Sequence, residues 1–121
     1  MTPTEIIEIV DRMTPNAHNS EDKLRWLEDL DAMIRTELDL LRRRLMMPAA
    51  EAPTPDKLRL AVGAPFAEEL YTTYLQACMA WADEEDARYD RFITRFNDAY
   101  ERYMRFQIQT SCAIANAFYR F

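Results

Sequence analysis

Five carboxylates close together are the residues of this chain best suited to chemistry. Asp83, Glu84, Glu85 and Asp86 are consecutive, and Asp90 follows one helical turn later. Hard cations such as calcium or magnesium take oxygen ligands of this kind. An EF-hand loop would also need a glycine and alternating ligands, and this stretch has neither. The plainer reading is a solvated acidic helix face or cap, because unpaired acids stay in water. Other reactive types are sparse. His18 is the single histidine and lies in a predicted turn, where a solvated surface residue is the ordinary outcome; Cys78 and Cys112 are the only thiols. Three residues this scattered fall short of a zinc site, and His18 belongs to no Glu-x-x-His motif of the di-iron kind. Neither a GxGxxG nor a Walker A sequence is present. The residues therefore predict no catalytic centre, no metal and no cofactor: the chain reads as a non-enzyme.

A different pattern dominates. Tyr89, Phe92, Phe96, Tyr100 and Tyr103 recur every three or four residues, and Ile93 and Met104 widen the stripe. That spacing sets them on one face of a helix. The phase continues backwards through Ala82, Cys78, Tyr74 and Tyr71. Aromatic stripes at this spacing are usually core. The tyrosine hydroxyls also suit a bundle rim or a subunit interface, where one end stays wet. Arg88, Arg91, Arg95, Arg102 and Arg105 alternate with Asp86, Asp90, Asp98 and Glu101. Mixed charge of this kind pairs along a helix surface and makes no phosphate track.

The elements that must position these residues follow from composition and punctuation. The 121 residues are 49% hydrophobic and 30% charged, as in an ordinary globular domain, and contain one glycine, Gly63. So few glycines argue against turn-rich β folds. Thr2-Pro3-Thr4-Glu5 reads as a capping box opening a short helix to about Met13. Ser20 reads as the cap of a second helix from 21 to about 46, carrying Leu24, Leu27, Leu30, Ile34, Leu38, Leu41 and Leu45, with Trp26 on a flank. Asp31 interrupts one of its two apolar tracks, which favours bundle packing over a coiled coil. Residues 47–56 hold Pro48, Pro53 and Pro55, and the stretch 47–64 is read as an exposed loop. Within it Lys57 to Val62 reads as an irregular connector or a short extended segment. Pro65 opens a third helix whose apolar side includes Leu70, Leu75, Cys78 and Trp81. Repulsion among the four acids and the cap chemistry of Asp83 favour two helices meeting near 82–84, against one kinked helix running to about 107.

The fold expected is all-α: a small helical bundle with two long helices, a short N-terminal helix and an extended C-terminal tail. The bundle spans 1–107 and the tail 108–121. That tail, QIQTSCAIANAFYRF from Gln107 onward, carries one charged side chain, Arg120. Ile114, Phe118 and Phe121 share a helical face, and an apolar chain end frays unless it docks. Arg42, Arg43 and Arg44 close the second helix, where cations meet the negative end of its dipole; a partner-binding role is the alternative. Lys and Arg number 15 against 21 Asp and Glu, a net charge of −6, so nucleic acid is repelled on average. No apolar run is long enough to span a membrane, and the N-terminus is no secretory signal, so the chain is expected in the cytoplasm where it is made.

Two blocks, residues 5–38 and 62–106, carry a resemblance. The first contains Lys23-x-x-Trp26-Leu27-x-x-Leu30-Asp31. The second contains Pro65-x-x-x-Glu69-Leu70-Tyr71-x-x-Tyr74-Leu75, an acidic turn, and then Arg88-Tyr89 followed by Phe96-Asn97. Together they resemble the small helical head–tail connector (adaptor, head-completion) proteins of long-tailed bacteriophages. The chain departs from that pattern at Ala82-Asp83-Glu84, where the family carries an Asn-Gly or Asn-x-Glu turn, and in its more apolar tail. The resemblance implies a virion protein of the neck, between capsid and tail. Copies would form a ring, a dodecamer in that family, beneath the portal protein, and would present a surface to a tail stopper or terminator protein. DNA would pass through the ring without specific binding, and an acidic wall would keep the channel slippery. Ile114, Phe118, Tyr119, Arg120 and Phe121 are then candidates to anchor the tail in a neighbouring or portal subunit, with Arg42, Arg43 and Arg44 as a second contact. The competing class is a small helical nucleic-acid-binding regulator of a phage or prophage, resting on the arginine triplet.

Overall fold

Side-chain caps start the first two helices. In the computed structural model, which describes residues 1–45, 60–63 and 65–119 (111–119 by backbone alone), α1 spans Pro3–Met13 and α2 spans Ser20–Arg44. Thr2 Oγ1 accepts the Glu5 N–H at 3.3 Å, and Pro3 takes the first helical position. On α2 the cap is Asn19 and not Ser20. Asn19 has the extended backbone a cap needs, and its Oδ1 accepts the Asp22 N–H at 2.8 Å. Ser20 becomes the first helical residue.

The third helix also starts later than its proline suggests. Phe66 and Ala67 both donate their N–H to the Gly63 carbonyl, each at 3.2 Å, so Pro65 lies in a turn and α3 spans Ala67–Ala82. The chain then breaks, as the four acids predict, and α4 runs Asp86–Tyr119. Asp83 does not cap α4; it is the C-cap of α3. Glu84 N–H bonds the Trp81 carbonyl at 3.2 Å and Glu85 N–H the Ala80 carbonyl at 2.9 Å. These two bonds make a Schellman closure, whose pivot residue needs a left-handed backbone. Glu84 supplies it at φ 58 where glycine is usual. A left-handed residue with a Cβ costs about 1 kcal/mol or more. Glu84→Gly is therefore expected to stabilise the fold by about 1 kcal/mol in urea unfolding, and Glu84→Val to destabilise it. A loss of stability in the glycine variant would rule out this turn.

The helices alternate in direction. Thr14 at the end of α1 meets Gln76, Asp31 of α2 meets Tyr71 of α3, and Glu69 of α3 meets Arg102 of α4. α3 is central and packs on all three others. That position explains its composition. Leu70, Tyr71, Leu75, Ala77 and Met79 are buried, and so are Thr72, Thr73 and Gln76. Each of these polar groups is satisfied: the threonine hydroxyls donate to the Glu68 and Glu69 carbonyls at 2.6 and 2.7 Å, and the Gln76 amide donates to Thr14 Oγ1 at 2.8 Å. Ile6 and Val10 of α1, Leu27, Leu30 and Ile34 of α2, and Phe96, Ala99 and Tyr103 of α4 complete the core.

Asp31 is the polar centre of the bundle. Its Oδ1 accepts from the Ala61 N–H at 2.7 Å and the Tyr71 hydroxyl at 2.8 Å, and Oδ2 accepts from Arg35 Nε at 2.9 Å. The Tyr71 oxygen in turn accepts the Val62 N–H at 3.1 Å. Burial drives the Tyr71 hydroxyl far above its ordinary range, so it stays a donor to the carboxylate. The end of the supposed exposed loop is thereby drawn inward: Val62 is fully buried and Leu60 partly so, with the Leu60 N–H on the Met1 carbonyl at 3.2 Å. Residues 46–59 lie outside the described residues.

Candidate interaction surface

The bundle has two unlike ends. At one end α2 finishes with Arg42, Arg43 and Arg44. Arg42 pairs loosely with Asp39 at 3.7 Å, and Arg43 and Arg44 are exposed. The same end carries the far part of α4. Burial raises the Tyr103 hydroxyl pKa, with the nearby Arg42 charge working against it. Phe66, which caps α3, packs edge-on to Tyr103 at 5.7 Å and against Phe106 at 5.2 Å between ring centres. α3 therefore begins level with Phe106, while α4 continues past that level to Tyr119. At about 1.5 Å per residue α4 is roughly 51 Å long and α3 roughly 24 Å. The excess is an arm that begins with Phe106 and Ile108, 46% and 43% exposed. The tail at 108–121 is thus no separate extension: as far as Tyr119 it is helix continuous with the bundle.

The opposite end is acidic. The Asp83–Asp86 turn lies there, with every one of its side chains exposed. Among the described residues, no three His, Cys, Asp or Glu side chains are placed to hold a metal ion. The acids make pairs instead: Glu85 with Arg88 at 3.0 Å, and Asp83 with His18 Nε2 at 3.0 Å. His18, expected in solvent, is only 18% exposed and ties the α1–α2 turn to the α3–α4 turn, with its ring edge-on to Trp26 at 5.7 Å. Beside this turn a groove of about 190 Å³ is lined by Trp26, Tyr74, Cys78, Trp81, Tyr89 and Ile93. Trp81 was expected on the apolar side of α3 but is 72% exposed, on the rim of this groove one residue before the α3 terminus. Burial pushes the Cys78 thiol up to about 11 and the Tyr74 hydroxyl up to about 12, so neither ionises near neutral pH.

The aromatic ladder faces the core, but only Phe96 and Tyr103 belong to it, with Ile93, Tyr100 and Met104 packed against it. Phe96 and Tyr103 are buried; Tyr89, Phe92, Ile93, Tyr100 and Met104 are partly so. Tyr74 and Tyr100 flank Phe96 at 5.1 and 5.8 Å. The Tyr100 hydroxyl is buried without a hydrogen-bond partner among the described residues.

Of the residues expected to bind partners, the structure brings Arg42–Arg44 to the same end as the root of the arm. Ile114, Phe118 and Tyr119 fall within α4, and their side chains, like Arg120 and Phe121 as a whole, lie outside the described residues. Phe106, Ile108 and Trp81 were missed as surface residues. The signal for Trp81 was its place one residue before the α3 terminus, next to a run of acids. No helix among the described residues is long and apolar enough to cross a membrane. Compared with known family models, curated proteins and solved structures, the chain matches none of them.

Proposed function

We propose that this chain is a structural virion protein, an adaptor whose copies form a ring between the capsid portal and the tail and lengthen the DNA channel. The observation that carries the reading is the α4 arm. A helix that outruns its bundle by several turns, rooted in exposed Phe106 and Ile108, has apolar surface that its own body does not cover. It supports a protein whose work is to dock. The two helical blocks that resemble phage connectors lie in the body, and the arm follows them. Ring assembly needs two different faces on each copy, and the unlike ends of the bundle supply them.

The test is mass by light scattering, for the chain alone and mixed with its portal protein. A ring or a stable portal complex is expected. Deleting 108–121 is expected to abolish portal docking while the body keeps its melting transition. A truncated chain that no longer folds would assign the arm to its own core.

Exposed Arg43 and Arg44 favour the second reading, a nucleic-acid-binding regulator. It predicts DNA binding that weakens steeply with salt. A monomer indifferent to the portal, together with salt-sensitive DNA binding, would replace the adaptor reading with this one.

A further inference from the structure

We infer that the aromatic groove at the acidic end of one copy receives the α4 arm of a second copy, so that the chain associates head to tail. The inference deepens the adaptor reading and rests on it only for the closure of such contacts into a ring. Three observations choose this occupant.

The first is reach. Tyr89 and Ile93 line the groove near the start of α4, and the arm begins near Phe106 on the same continuous helix. From Ile93 to Ile108 is about 22 Å along the axis. An arm held in one helix with the groove wall cannot fold back into that groove, so only another molecule's arm can enter it.

The second is complementary character. The groove is apolar along Trp26, Trp81 and Ile93, and most of Trp81 stands in water. The arm sequence repeats apolar residues at helical spacing in Ile114, Phe118 and Phe121, a pattern that fits a hydrophobic groove.

The third is charge. Asp29 lies close enough to the groove to bear on Tyr74 and Cys78, and Asp83–Asp86 form its adjoining turn. The arm's single charge is the positive Arg120, and the end from which the arm leaves carries Arg42, Arg43 and Arg44. Stacking copies head to tail brings the arginine triplet of one, which shares its end with Glu68 and Glu69, towards the Asp83–Asp86 turn of the next. The contact is heterologous, which makes rings where the rotation closes and filaments where it does not.

The experiment uses two full-length variants. Trp81→Glu disables the groove and keeps the arm. Phe118→Glu disables the arm and keeps the groove. Circular dichroism checks that both fold, as the exposure of Trp81 leads one to expect. The wild-type chain is expected to gain mass with concentration in sedimentation, and each variant alone to stay monomeric. Mixed together, the two are expected to form a complex of one copy each and no larger, because only one working arm and one working groove remain. A wild-type chain that stays monomeric, or a Trp81→Glu variant that associates like wild type, overturns the inference. So does a Trp81→Glu variant that loses portal binding alone, since the groove would then belong to the portal. If Trp81→Glu still binds the portal and forms rings, the adaptor reading survives without this contact. If the pairing holds but the portal is ignored, the contact stands and the adaptor reading falls.

Discussion

Asp31→Ala is expected to lower the stability of the bundle by about 3 kcal/mol. The carboxylate is only 13% exposed and accepts from three donors. Its loss strands the Tyr71 hydroxyl, which is fully buried, and the Ala61 N–H, which has no helix partner. Each unsatisfied buried group costs about 1–3 kcal/mol. The melting temperature should fall by roughly 10 °C for a domain this size. Asp31→Asn keeps one acceptor oxygen and should lose about half as much. The damage should also be directional. Residues 60–62 hang on this carboxylate through two backbone N–H groups, one direct and one through Tyr71, so hydrogen exchange at Ala61 and Val62 should accelerate before exchange in α4 does. An Asp31→Ala variant within about 0.5 kcal/mol of wild type would show that these bonds do not hold the segment.

The same residue marks the boundary between what the sequence made legible and what it hid. Apolar periodicity marked α1, α2 and the stretch that holds α3 and α4, because a helix packed on one side leaves a 3.6-residue signature, but its unbroken phase from Tyr71 to Tyr103 did not separate the last two. The helix break at the four acids was legible from charge repulsion, but its closure was not. A Schellman turn is normally announced by glycine, and here Glu84 adopts the left-handed backbone instead. Asp31 read as an interruption of an apolar track, because a one-dimensional pattern cannot show that Tyr71, 40 positions away, brings it a hydroxyl. Lys23 and His18 were opaque for the same reason: their partners Asp11 and Asp83 are on other elements. Several residues that carry the connector resemblance are these packing and hydrogen-bonding positions. Lys23 and Asp31 make buried polar contacts, Leu27 and Leu30 are core, Trp26 meets His18, and Tyr71 holds Asp31. Such a pattern specifies how a bundle is built, though Trp26, Tyr74 and Tyr89 also line the groove; of the two surfaces proposed for docking, the apolar composition of the arm was legible and the groove was not. The groove required knowing that α3 stops one residue after Trp81.

Acid is expected to unlock the α1–α2 corner before the rest of the bundle, through Lys23. Its side chain is 4% exposed and its ammonium lies 2.6 Å from Asp11 Oδ1, while the Asp11 side chain is 44% exposed. Burial tends to raise the Asp11 pKa, but the hydrogen bonds from Lys23 and Asn16, with the ammonium's charge, outweigh it and hold the carboxyl below the ordinary range. A depressed carboxyl pKa stabilises the fold fully above its unfolded value of about 3.9, and the contribution vanishes as pH falls through the folded value. Asp11→Ala should therefore cost about 2 kcal/mol near neutral pH, less than a fully buried pair because solvent screens the exposed partner. The gap between this variant and wild type should close as pH falls below about 4, because the wild type loses the same contact by protonation. Lys23→Met separates the two causes. It removes the buried charge and fills the site with an unbranched apolar chain, so stability at neutral pH should stay near wild type while the acid sensitivity disappears. Urea unfolding of the three proteins at several pH values measures both effects. If Asp11→Ala and wild type differed equally at every pH, the carboxylate would be contributing through packing alone, and the buried ammonium would need another partner.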